Sequence, residues 1–248
     1  MRLSNPLSAA LALLGSVSIA YSQASPTAAP SASSSPAAAP AARTEVYHVH
    51  FNRAATGKAS ALSDFLKTPV PDSATAGHVL LLRHEDGAAW DFANIQHMGT
   101  KATVEASGNP RGPSMKGLSD WHTDTFANGP SWAEFAKEMA LDEAGKSKSA
   151  ESVYVVSIYR AVSGKEEALE KFLSEPPVPN DLVAGVVIMQ HLEGASWRFL
   201  AISRYKSWQD FASSEAKLVA AADKGSGGWF KLRDFVSFHE DTLTTRVP

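Results

Sequence analysis

The sequence predicts an α+β protein in which two β-α-β-β-α-β repeats lay their antiparallel sheets together as an α/β barrel, with the helices outside. Three observations lead there. A stretch that begins at Val46 recurs at Val153, 107 residues on. Each copy opens on an alternating run of β-branched and aromatic residues, the pattern of a half-buried strand. Each then turns through Gly-Lys into a segment whose apolar residues fall at helical spacing.

The first strand is Val46 to Arg53, matched by Val153 to Arg160, and half of the positions from 45 to 66 are identical to those from 152 to 173. The first helix follows Gly57-Lys58 and Gly164-Lys165. In the second copy Ser163 and Glu166 form a capping-box pattern, and Leu169, Phe172 and Leu173 share one helix face. A Pro-containing loop comes next (69–71 and 176–179). The second strands are Val79 to His84 and Val186 to His191. Turns through Gly87 and Gly194 lead to third strands at Trp90 to Gln96 and Trp197 to Ser203. Trp208, Phe211, Leu218 and Val219 mark a second helix, and Arg233 to Glu240 a fourth strand. This order is the ferredoxin-like unit. Its sheet has one bare face, and two such units in one chain can bury those faces against each other.

The first copy departs from the second after its third strand. Residues 99–117 are rich in Gly, Pro and Ser and read as an irregular loop with at most a short helix. Two echoes of the second copy then occur in swapped order. Trp121-His122-Thr123-Asp124 resembles Phe238-His239-Glu240-Asp241, and Ser131-Trp132-Ala133-Glu134-Phe135 resembles Ser207-Trp208-Gln209-Asp210-Phe211. The first echo supplies the fourth strand, Leu118 to Phe126, and Trp132 to Ala144 becomes an added helix. The first repeat therefore spans 44–145 with an insertion and an extra helix, and the second spans 151–245.

Residues 1–24 read as a secretory signal, with Arg2 ahead of the apolar run Leu7 to Ala20 and small residues at Ser22 and Ala24. The linker 25–43 is built of Ser, Pro, Thr and Ala up to Ala42. It has no large apolar side chain to offset the entropy of ordering. The expectation is a secreted or periplasmic protein with no membrane insertion after signal removal. The chain has 248 residues, no cysteine and a formal net charge of −3. Disulfides, thiolate zinc sites and cysteine nucleophiles are excluded, and nothing in the charge points to nucleic acid.

The strand followed by Ser163-Gly164-Lys165-Glu166-Glu167-Ala168-Leu169, then two strands and Tyr205-Lys206-Ser207-Trp208-Gln209-Asp210-Phe211, resembles the dimeric α/β-barrel superfamily. Within it lie the antibiotic-biosynthesis-monooxygenase-like (ABM-like) proteins, whose first helix often opens on Gly-Lys-Glu. The resemblance implies a fold and a cavity. It does not imply one reaction, since that group holds cofactor-free oxygenases, haem enzymes, isomerases and proteins without known activity.

Several residues could carry chemistry. His48 and His50 lie two apart on a strand and share a face; with Tyr47, Val49 and Phe51 set against the helices, both should point into the barrel. The pair can be simply hydrogen-bonded, can serve acid–base or ligand-binding work, or can start a metal or haem site with a third ligand from His84, His122 or a carboxylate. His122 with Asp124, and His239 with Asp241, have the spacing in which Asp orients its His, which is also the look of a strand-ending turn. His84 and His191 suit hairpin ends. Trp90 and Trp197 can line a cavity for an aromatic ligand or fill the core. Gly-x-Ser-x-Gly, phosphate-loop, dinucleotide and His-Glu-x-x-His motifs are absent.

Two functions fit. The first is a monomer or homodimer binding a small apolar or aromatic molecule between its sheets. The second is a cofactor-free monooxygenase-like or isomerase-like enzyme whose barrel histidines transfer protons. No cofactor is called for and no metal is assigned, and a haem- or metal-binding version is the third reading.

Overall fold

The computed structural model describes residues 42–69, 75–107, 114–175, 180–223 and 228–247. The segment read as a signal, nearly all of the segment read as a linker and most of the two Pro-containing loops lie outside them. The first half holds β1 (Glu45–Ala54), α1 (Ala59–Lys67), β2 (Val79–Asp86), β3 (Phe92–Thr100), α2 (Lys101–Ser107), β4 (Ser119–Gly129) and α3 (Trp132–Glu138). The second holds β5 (Val153–Ala161), α4 (Glu166–Ser174), β6 (Val183–Glu193), β7 (Phe199–Tyr205), α5 (Trp208–Asp223), α6 (Gly228–Leu232) and β8 (Val236–Arg246).

The eight strands make one closed antiparallel ring in the order β1-β3-β2-β8-β5-β7-β6-β4. Read by halves, this is β4-β1-β3-β2 followed by β8-β5-β7-β6, the same ferredoxin-like order twice. The sequence leads one to expect two sheets laid face to face. Instead the sheets join at their edges, β2 on β8 over Leu82–Asp86 and β4 on β6 over Phe126–Asn128, so each strand of the ring has a neighbour on both sides. Glycine makes the seams possible. Gly87 and Gly194 take φ of 120° and 109°, and a Cβ on either would strike the backbone of the opposite half, at Asp241 and Asp124 respectively.

The interior is filled by side chains. Tyr47, Val49 and Phe51 from β1 meet Tyr154 and Val156 from β5, together with residues of β2, β3, β6 and β7. Helix α3 does not lie outside with the others. Its Trp132, Phe135 and Ala136, with Met139 and Leu141 beyond it, belong to the same buried cluster. Tyr47 donates to the Pro130 carbonyl at 2.9 Å and Tyr154 to the Met139 carbonyl at 3.2 Å. Outside, α1 covers Leu81 and Phe92 with Leu62 and Leu66, and α4 covers Phe199 and Ala201 with Leu169.

Two local expectations change. The added helix ends at Glu138, with Met139 as its cap, rather than running to Ala144. Ala140 adopts φ 54°, and Asp142 Oδ1 then takes the Lys146 N–H into a tight turn. The capping box of Ser163 and Glu166 does not form: Gly164, at φ 78°, turns the chain so that Lys165 is the N-cap, with no side-chain bond.

Candidate functional site

On β1, His48, His50 and Asn52 alternate with Tyr47, Val49 and Phe51. The second set fills the ring, so the first set faces outward. The expectation that His48 and His50 point into the barrel is therefore corrected. Alternation fixes which residues share a face but not which face is inside. A closed ring is the driest place in this fold. Two imidazoles there would leave polar atoms short of partners at about 1–3 kcal/mol each, whereas tyrosine, valine and phenylalanine gain by entering.

Strand β4 completes the outer face. Its register on β1 sets Phe126 opposite His48, Asp124 opposite His50 and His122 opposite Asn52, and residues directly opposed across a ladder lean the same way. One oxygen of Asp124, Oδ1, lies 3.2 Å from His48 Nε2 and nearer still to His50 Nε2. The two imidazole Nε2 atoms are 2.7 Å apart. The other oxygen, Oδ2, lies 3.2 Å from His122 Nε2. Phe126 stacks on His48 with ring centroids 4.6 Å apart. His48 and His50 are about four-fifths covered, while Asp124 and His122 are half open, at 50% and 46% exposure. The cluster therefore has a closed floor and an open side.

Burial lowers the pKa of His48, and the nearby Asp124 opposes that shift. His50 is pushed down to about 4, first by burial and then by the neighbouring His48, against the pull of Asp124. Beside it Asn52 is fully buried with neither side-chain atom hydrogen-bonded, and Asn94 Oδ1, opposite His50 on β3, is likewise without a partner. The hairpin tip at Gly194 lies against the backbone of Asp124 and Thr125, so the second half of the ring packs on the stretch of β4 that carries the carboxylate.

The remaining candidates lie elsewhere. His239 and Asp241 occupy the matching positions of the second half, with Nε2 3.8 Å from Oδ2, but Asp241 there faces Ser157. Trp90 and Trp197 are core side chains, 5% and 6% exposed, packed against His84 and His191 respectively. The reading from sequence missed Asn52, Asn94 and Phe126. A signal existed, since asparagine is poorly suited to a strand interior. It also missed a second group at the α3 end of the ring: His97 lies 2.8 Å from Glu45 Oε2 and 3.0 Å from His78 Nδ1, and His78 stacks on Trp132.

No family model matches the sequence, and no curated protein matches it significantly. The fold does match solved structures. A putative monooxygenase from Lactobacillus acidophilus superposes with a TM-score of 0.50 at 9% identity, covering 82% of this chain and 94% of that one. A second, from Fusobacterium nucleatum, gives 0.54 at 7% identity over 83% and 93%. An anthrone oxidase-like protein gives 0.51 at 10% identity over 84% and 92%. These neighbours belong to the dimeric α/β-barrel superfamily, and at such identities the likeness is one of fold.

Proposed function

We propose that this chain is a monooxygenase-like enzyme that works on the outer face of β3-β1-β4, not between the sheets. The observation that carries this reading is the Asp124 carboxylate, which holds His122 on one oxygen and faces His48 and His50 with the other. His122 donates its Nε2–H to Asp124 Oδ2, which fixes the tautomer with a lone pair on Nδ1. That nitrogen takes a proton from a carbon acid bound at the open side. The ring interior, filled by tyrosine, tryptophan and phenylalanine, gives a ligand between the sheets little support. The monooxygenase-named neighbours accord with this reading. The doubled strand order and the shared residues support a duplicated unit in one chain, and the leading residues support export.

Anthrone is a suitable probe, because its methylene is flanked by two aromatic rings that pass the negative charge left by a lost proton to the carbonyl across the central ring. Loss of one methylene proton to His122 leaves a carbanion that adds O2. The resulting peroxide anion takes the proton back from His122, and the hydroperoxide then loses water, so anthrone and O2 give anthraquinone and water. Oxygen uptake and quinone absorbance should rise with the protein, and H122Q should lower the rate by about 100-fold or more, while H239Q leaves it within about twofold. Uptake no faster than in buffer, or unchanged in H122Q, would overturn the reading.

A further inference from the structure

We infer that His48, His50 and Asp124 form a site for one divalent first-row transition-metal ion. The inference deepens the reading above, since it shares Asp124 with that site, and it rests on a separate observation. Three donor atoms, two Nε2 and one carboxylate Oδ1, lie within hydrogen-bonding distance of one another in a closed triangle. Protons cannot satisfy all three edges. A neutral imidazole carries one N–H, and one N–H serves one acceptor well. With both hydrogens on Nδ1, two lone pairs face a carboxylate. With both on Nε2, two N–H groups are aimed at each other across 2.7 Å. One hydrogen of each kind still leaves an edge between two acceptors. A cation set against the three atoms satisfies every edge, because each then offers it a lone pair.

The donor set limits which cation. Two imidazoles and one carboxylate suit Fe(II), Co(II), Ni(II) or Zn(II), and they suit Mg(II) or Ca(II) poorly. Three protein ligands leave positions open on the metal, and the open side of Asp124 is where they would lie. The surroundings resemble those of a held ligand set. Asp124 is anchored through its second oxygen by His122, and Phe126 fixes the His48 ring plane; such outer contacts orient ligands. The second half offers a control within the same chain. Asp241 takes the place of Asp124, but Val155 and Ser157 take the places of the two histidines, so one ion per chain is expected. The sequence alone gives no cofactor. The missing ligand is brought in by the β1–β4 register, which no local pattern encodes.

The test uses the full chain, stripped with EDTA and titrated with Co(II) alone, followed by visible ligand-field absorption, and with Zn(II) by calorimetry. One ion per chain should bind. H48Q, H50Q and D124N should each weaken binding by at least about 100-fold, with D241N and H239Q unchanged. If a variant fails to fold, Co(II) added to the wild type should shift the ring proton resonances of His48 and His50 beyond those of the other histidines. Binding without that stoichiometry, undiminished binding in a folded H50Q, or unshifted His48 and His50 resonances would overturn the site. Metal binding without anthrone turnover would sink only the oxygenase reading. Turnover by the stripped, metal-free chain would leave that reading standing and, together with absent Co(II) binding, sink only the metal site.

Discussion

The two halves of the ring share a strand order and differ on their outer faces. In the second half, α5 is 16 residues long and packs on β6 and β7. Beneath the helices there, Ser157, Tyr159 and Tyr205 are buried. In the first half the corresponding helix, α2, has seven residues, and the face carries His48 and His50 largely covered beside His122 and Asp124, which are half open. On nearly the same backbone, one face is closed by a long helix and the other keeps a cluster of titratable side chains partly accessible. Buried imidazoles with lowered pKa values are a destabilising choice that a purely structural face avoids.

The sharpest way to break this comparison is to exchange inside for outside on a single strand. Phe51 faces the interior and packs tilted on Trp90, ring centroids 5.0 Å apart; F51A should cost about 3–5 kcal/mol in urea denaturation. H50A, one residue away on the same strand, should change stability by less than about 1 kcal/mol in metal-free buffer. Equal costs would mean that the faces are assigned the wrong way round.

A second pair of variants separates the seams. G87A and G194A each force a side chain into positive φ and against the backbone of the other half. Each should lose about 2 kcal/mol or more. Only G194A presses on Asp124, so only it should also weaken Co(II) binding, by about tenfold. If G87A weakened the metal as much, Asp124 would not be held by the seam.

The pH dependence of stability is a smaller effect, in which the α3 end adds to the lowered pKa values of His48 and His50. Burial lowers the pKa of His78 and of His97, against the pull of Glu45 on both and of the Glu143 carbonyl on His78. Tyr47 and Trp132 pack on the same group. Since both folded pKa values lie below the unfolded value near 6.5, the unfolded chain binds more protons below that pH. Stability should be full above about pH 6.5 and fall as the pH drops toward the folded values. H78Q should flatten that fall; an unchanged profile in H78Q would assign the acid sensitivity to other groups.

How much of this can be read from the sequence depends on range. The existence and order of the strands and of α1, α4 and α5 follow from alternation and helical spacing, which are local, but the strand ends do not: β4 runs on past Phe126 to Gly129, and the last strand, read as Arg233 to Glu240, lies at Val236–Arg246. That His48 and His50 share a face is equally local. Which face lies inside is not, because it depends on the ring closing and on α3 filling its mouth. Trp132 shows the limit well: Ser131-Trp132 and Ser207-Trp208 look alike in sequence. Yet Trp132 is buried and donates Nε1–H to the Glu143 carbonyl at 2.9 Å, while Trp208 is 49% exposed. Asp124 meets His50 only through the β1–β4 register, and His78 meets His97 as the pair that extends the β2–β3 ladder past Val79 and Gln96.

The smallest effect is expected at α5, where the apolar spacing of Trp208, Phe211, Leu218 and Val219 suggests a buried stripe. The structure buries Ser214 most deeply instead, with Asn180 hydrogen-bonded to it and Phe211 against Tyr205. Val219 stays 59% exposed. A helix that covers its sheet through a serine and one phenylalanine gains little from its outer apolar residues, whatever their spacing. W208A and V219S should therefore each shift stability by less than about 0.5 kcal/mol in urea denaturation. A loss of several times that from V219S would mean that this flank of α5 is covered in solution, and the second half would then be more than a closed, structural counterpart of the first.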